Sequence, residues 1–147
     1  MIRIDIPATS ANLGSGFDSL GIALTMCNRV WMEEADELKI TTTDKIKVPT
    51  DETNLIYWAA RHLYQICGKT LPGLHIIQEN NIPMARGLGS SSACIVAGIL
   101  GANRMLGSPM SQSDLINLAA QIEGHPDNIL PTFVGGMTVG AIENGRV

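Results

Sequence analysis

The stretch PMARGLGSSSACIVAG, Pro83 to Gly98, sets Gly87 and Gly89 ahead of three serines, Ser90, Ser91 and Ser92, and then turns apolar. Glycines let a backbone approach a bulky anion and adopt positive φ. The free N–H groups of a first helical turn, aided by the helix dipole, attract negative charge. Serine hydroxyls add donors, and one of them could ligate a metal. These residue types in this order suit a phosphate group, although a flexible capped turn is the other common use of such a loop. A second cluster, PATSANLGSGFDSLG, places Asn12 and Asp18 in a glycine-bearing loop. Polar side chains there could bind a small hydrophilic ligand or satisfy one another within a turn. A third, IEGHPDN, gathers Glu123, His125, Asp127 and Asn128 on a short loop. A carboxylate beside a bound polyphosphate is a natural Mg²⁺ ligand, because magnesium takes oxygen donors. His125 is open to either a structural or a direct role.

Other phosphate motifs fail on spacing. Gly68-Lys69-Thr70 resembles the end of a Walker loop, but Leu63 stands where its first glycine belongs. The run Gly14 to Ser19, GSGFDS, ends in serine where a dinucleotide fingerprint needs glycine.

The elements that must position these clusters follow from periodicity. Residues 2–6, IRIDI, alternate as a half-buried strand, with Pro7 ending it and a small-residue loop after it. IALTMCNRVWMEE reads as a second strand, and LKITT and IKV as short strands broken at Asp44 and Pro49. Helical spacing runs from Leu55 to Cys67 with Gly68 as the stop signal. GLHIIQE returns to strand. Ala93 to Met105 is a Gly/Ala-rich buried helix whose small residues Ala93, Ala97, Gly98 and Gly101 let it lie close to a sheet. Ser111 or Ser113 caps a further helix to Ile122. GGMTVGAI is a strand, and Asn144-Gly145 signals a hairpin. Only Arg146 and Val147 follow that turn, so the expectation is one domain over 1–147 that stops in mid-fold, with apolar surface exposed.

Bulk composition narrows the partners. The 147 residues are 45% hydrophobic but 4% aromatic, so the core must be aliphatic, with Ala and Met. A net charge of −4 without a Lys/Arg stripe argues against nucleic acid as a main partner. No apolar run is long enough to span a bilayer, and no signal peptide is evident. Cys27, Cys67 and Cys94 lack metal-ligand spacing and read as reduced thiols in the core of a cytoplasmic protein.

Together, and in this order, the three clusters resemble the kinase superfamily of galactokinase, homoserine kinase, mevalonate kinase and phosphomevalonate kinase. PATSANLGSGFDSLG and EGHPDN are most similar to the homoserine kinases within it, and PMARGLGSSSA to the superfamily's phosphate loop. The resemblance covers about the first half of a family member. It implies an α+β fold, with a ribosomal-protein-S5-domain-2-like N-terminal ATP-binding domain and a ferredoxin-like C-terminal domain absent. The implied reaction carries the γ-phosphoryl group of ATP, with Mg²⁺, to the side-chain hydroxyl of L-homoserine. It leads toward threonine, and the chain alone is expected to be inactive. Pro83, Arg86, Gly87, Leu88, Gly89, Ser90, Ser91 and Ser92 would hold the nucleotide, and Ser91 with Glu123 the metal. Asn54 would lie near the adenine or simply start its helix. Asn12, Asp18, His125, Asp127 and Asn128 would face the amino acid, with Asp127 orienting it first and acting as base second. Threonine or mevalonate as the acceptor, a nucleotide-binding module without turnover, and a homodimer all stay open.

Overall fold

A computed structural model describes residues 1–147 as an α+β arrangement. Three antiparallel strands are built around β2 (Leu20–Glu34), with β1 (Ile2–Ala11) on one side and β4 (Leu74–Glu79) on the other. β3 (Lys39–Thr42) lies parallel to β4 at the edge, and β5 (Met137–Val139) pairs with the start of β2. Alternation decides the faces. Ile6, Val30, Met32, Ile40, Leu74 and Ile76 are buried, whereas Arg3, Asp5, Arg29 and Glu79 lie on the opposite side.

The first strand does not stop at Pro7. It runs to Ala11, because Pro7 has no N–H to place in a ladder but its edge position asks for none. The pairing shifts there: Pro7 faces Cys27, yet Thr9 faces Ala23. Two residues of β1 thus span four of β2, and the irregularity breaks the inside–outside alternation. Ala8 and Thr9 are consequently both fully buried. Residues 46–48, expected as a strand, form none; the Ile46 N–H bonds the Asp44 carboxylate instead of a neighbouring strand.

Helix α1 (Leu55–Ile66) is amphipathic, with Ile56, Ala59, Ala60, Leu63 and Tyr64 inward and Trp58 and Arg61 outward. Gly68 follows its end at φ 68°, as the stop signal requires. Helix α2 (Ser90–Met105) is buried on nearly every face and lies between β1, α1 and α3 (Gln112–Glu123). It begins at Ser90, three residues earlier than the apolar pattern indicated. Its small residues serve two neighbours rather than the sheet alone. A Cβ on Gly101 would meet Met32 of β2, whereas one on Gly98 would meet the Ile56 carbonyl of α1. Ser111, not Ser113, caps α3 through its Oγ and the Asp114 N–H. A short helix α4 (Ile129–Val134), unmarked by periodicity, carries the chain from the third polar cluster to β5. The Asn144-Gly145 turn forms, with Glu143 bridged to Arg146.

Candidate active site

The glycine-serine loop enters α2 through a left-handed Gly89, φ 68°, and no side chain caps the helix start. The first-turn N–H groups therefore have no intrahelical or side-chain partner and point out of the helix end. Positive φ recurs at Ala85 (55°), Gly87 (45°) and Gly89, an alternation of the kind that turns successive N–H groups to one side and favours anions. Ala85 carries no sequence mark for this conformation. Beside the loop lies a hollow of about 200 Å³ lined by Pro83, Arg86, Gly87, Leu88 and Ser90, among others. It adjoins a larger cleft of about 300 Å³ through the shared residues Ala85, Ser90 and Ser91.

That cleft has apolar walls, including Val48, Leu55, Ile82, Met84 and Cys94, and a polar floor. Asn54 belongs to the floor as a builder. Its Oδ1 accepts from the Ile56 and Tyr57 N–H groups, and its Nδ2 donates to the Pro49 carbonyl (2.9 Å) and Gln78 Oε1 (3.0 Å). With both ends of the amide engaged, Asn54 starts α1 rather than offering a free contact to a ligand. The Asp44 carboxylate ties down the far rim by accepting from the Asn80 N–H (2.6 Å) and Nδ2 (3.2 Å). Burial pushes the Cys94 thiol up to about 11, so it faces the cleft as a neutral, weakly polar group. Cys27, Cys67 and Cys94 are all free, and Cys67 and Cys94 pack against the core.

At the inner end of the phosphate loop the third cluster arrives from α3. Ser91 Oγ donates to Glu123 Oε2 at 3.3 Å, and Ser92 Oγ to Glu123 Oε1 at 3.0 Å. A carboxylate and two hydroxyls beside exposed N–H groups form an all-oxygen donor set, which fits Mg²⁺ with its remaining positions left to phosphate and water. The fully buried Ser92 was expected only as a phosphate contact; it reaches Glu123 more closely than Ser91 does.

Past Glu123 the chain turns through Gly124 and presents His125 and Asp127. The side-chain ligand atoms of Asp18, His125 and Asp127 lie within 4.8 Å of one another, so the second and third clusters converge. Asp127 is 1% exposed, and its Oδ1 accepts the Asn128 N–H at 2.9 Å and lies 3.6 Å from His125 Nδ1. Asp18 and His125 are exposed. Asn12 is partly satisfied locally, since its Oδ1 accepts the Asp18 N–H at 2.8 Å. Both Asn12 (φ 57°) and Asp18 (φ 55°) take left-handed backbone, as short polar side chains can. Of the two roles left open for this turn, the structure shows the local one: Asn12 braces the loop that carries Asp18.

One residue that sequence reasoning missed joins the halves. Thr9, fully buried, donates its hydroxyl to Asn128 Oδ1 at 2.7 Å and its N–H to the Leu88 carbonyl at 3.1 Å. The signal was faint, because a strand read as ending at Pro7 leaves Thr9 in a loop.

Comparison with known proteins agrees with this arrangement. Residues 54–136 match the family model described as the GHMP kinases N terminal domain. The chain is 50% identical over 145 residues to a homoserine kinase of Petrotoga mobilis, covering 97% of this chain and 47% of that protein. A solved Listeria monocytogenes chain assigned as a homoserine kinase superposes with a TM-score of 0.86 at 43% identity, over 98% of this chain and 51% of that one. A mevalonate kinase of Methanococcus jannaschii shares the fold at 16% identity, with a TM-score of 0.74 over 99% of this chain and 54% of that one. The chain spans about half the length of the curated relatives it matches. The family model covers more than half of the chain, and the chain belongs to the GHMP kinase family.

Proposed function

We propose that this chain supplies the nucleotide site and part of the acceptor site of an enzyme that phosphorylates the side-chain hydroxyl of L-homoserine from ATP. The observation that carries the reading is the connection between the three clusters. A cleft with apolar walls adjoins Gly87–Ser92, whose serines meet Glu123, and Thr9 ties the same loop to Asn128, next to the Asp127 that groups with Asp18 and His125. Relatives named homoserine kinase, 45–50% identical over most of this chain, support the choice of acceptor.

On this reading the adenine sits between the apolar walls near Leu55 and Ile82, and the phosphates lie against the N–H groups of Gly87–Ser92. Ser91, Ser92 and Glu123 would hold Mg²⁺, which when bound neutralises phosphate charge. Asp18 takes the substrate ammonium, and the Asp127 carboxylate, fixed by the Asn128 N–H, orients the amino acid. The acceptor hydroxyl oxygen then bonds to the γ-phosphorus as the bond to the β–γ bridging oxygen breaks. The hydroxyl proton passes to Asp127 or to a phosphoryl oxygen. Because phosphoryl transfer depends chiefly on positioning and charge stabilisation, Asp127 acts mainly by orientation.

The test is ADP release by the full-length natural protein with L-homoserine, L-threonine and mevalonate in parallel. Release with homoserine, diminished more by Glu123→Ala than by Asp127→Ala, is the expected result. Release with another alcohol instead would overturn the acceptor, and silence with all three would leave a nucleotide-binding module.

A further inference from the structure

We propose that Thr9 is a positioning residue for the transfer, holding the phosphate loop and the acceptor loop in register and setting the direction of the Asn128 amide. The inference rests on the proposed reaction and goes beyond it. Thr9 lies where the β1–β2 ladder slips between Pro7 and Thr9, which turns its side chain into the interior under both loops. Its N–H holds the Leu88 carbonyl, one residue before the left-handed Gly89 that starts α2. Its hydroxyl donates to Asn128 Oδ1 at 2.7 Å. An amide is planar, so fixing the oxygen on Thr9 directs the Nδ2 donors to the other side.

Packing leaves no slack at this junction. A Cβ on Gly89 would come within 2.1 Å of Thr9 Oγ1 and 3.2 Å of Asn128 Oδ1. The three residues thus form one contact between the phosphate-binding helix start and the loop that carries Asp127. Asn128 in turn is the residue through which that loop is anchored, since its own N–H holds Asp127 Oδ1. Removing the Thr9 hydroxyl frees the Asn128 amide to rotate and leaves the polypeptide shape nearly unchanged.

The experiment compares Thr9→Val, which keeps the shape, with Thr9→Ser, which keeps the hydroxyl, in the full-length natural protein. The expected result is a kcat lower by about 10–100-fold in Thr9→Val, the scale at which oriented supporting contacts act. KM for ATP stays within about threefold, because the Thr9 N–H still holds the Leu88 carbonyl of the phosphate loop, and KM for homoserine rises less than kcat falls. Thr9→Ser recovers most of the rate. Unchanged kcat in Thr9→Val, or equal impairment of Thr9→Ser, overturns the proposal.

A second readout is independent of turnover. In ¹⁵N-labelled protein the Asn128 side-chain amide pair, assigned by its disappearance in Asn128→Ala, should shift in Thr9→Val and return in Thr9→Ser. A pair that stays in place in Thr9→Val sinks the role of Thr9 whatever the kinase assay gives. Wild-type protein that fails to turn over homoserine overturns the acceptor reading, and the amide signals then decide Thr9 alone.

Discussion

Gly87 and Gly89 look equivalent in the sequence, two glycines in one loop, but their surroundings differ. Both have positive φ, at 45° and 68°, and a Cβ on Gly87 would meet nothing, whereas one on Gly89 would press on the Thr9 hydroxyl. Gly87→Ala should therefore cost only the left-handed backbone penalty, about 1–2 kcal/mol. Gly89→Ala should cost clearly more, because the collision adds to the same penalty. Urea unfolding of the two variants measures the difference, and equal losses would contradict the packing described here. The sequence marks both glycines for conformation; only the fold reveals which is also pinned by a neighbour. Glu123, Ser91, Asp18 and Asp127 were legible as candidates because their three clusters occur together and in order, although each cluster alone also reads as an ordinary turn or cap. Thr9 and Ala85 were not, since a buried threonine and a left-handed alanine carry no compositional mark.

At the scale of elements, the strongly periodic segments α1, α3 and β4 were readable, and the errors fell where context overrides local pattern. Pro7 reads as a strand end unless the strand is known to lie on an edge. The six-residue α4 has too few turns to show a period, and Ile46–Val48 alternates like a strand but finds no partner in the sheet. What holds that last segment is Asp44, which bonds to Ile46 and to Asn80 at the exit of β4. Burial works against ionisation of its carboxyl, but these N–H donors outweigh it and keep the group below its ordinary value. A depressed carboxyl contributes stability above the unfolded value, near pH 4, and loses it as the pH falls through the folded value. Asp44→Asn should consequently lower the melting temperature at pH 7, with the gap from the wild-type protein narrowing below about pH 4. A gap that is constant from pH 7 to pH 3 would show that the charge on Asp44 has no part in holding the cleft rim.

The whole molecule explains why three loops far apart in sequence come together. β1 and β2 bring Asp18 to the same end of the sheet at which α2 begins. The buried α2 fixes Ser91 and Ser92 rigidly, and α3 packs against α2 so that its last residue, Glu123, reaches both serines. No helix of the structure is long and apolar enough to cross a membrane. Phe17, Met137 and Val139 are large apolar side chains that lie exposed on the surface. We propose that the start of α2 and Glu123 together form a metal-dependent polyphosphate site. Its most direct test is calorimetric titration of ATP into the full-length natural protein, with and without Mg²⁺, for the wild type and Glu123→Ala. Wild-type affinity should depend on Mg²⁺, and Glu123→Ala should weaken it by about tenfold or more, the scale of one charged contact. Equal affinity with and without Mg²⁺, unchanged by Glu123→Ala, would contradict it.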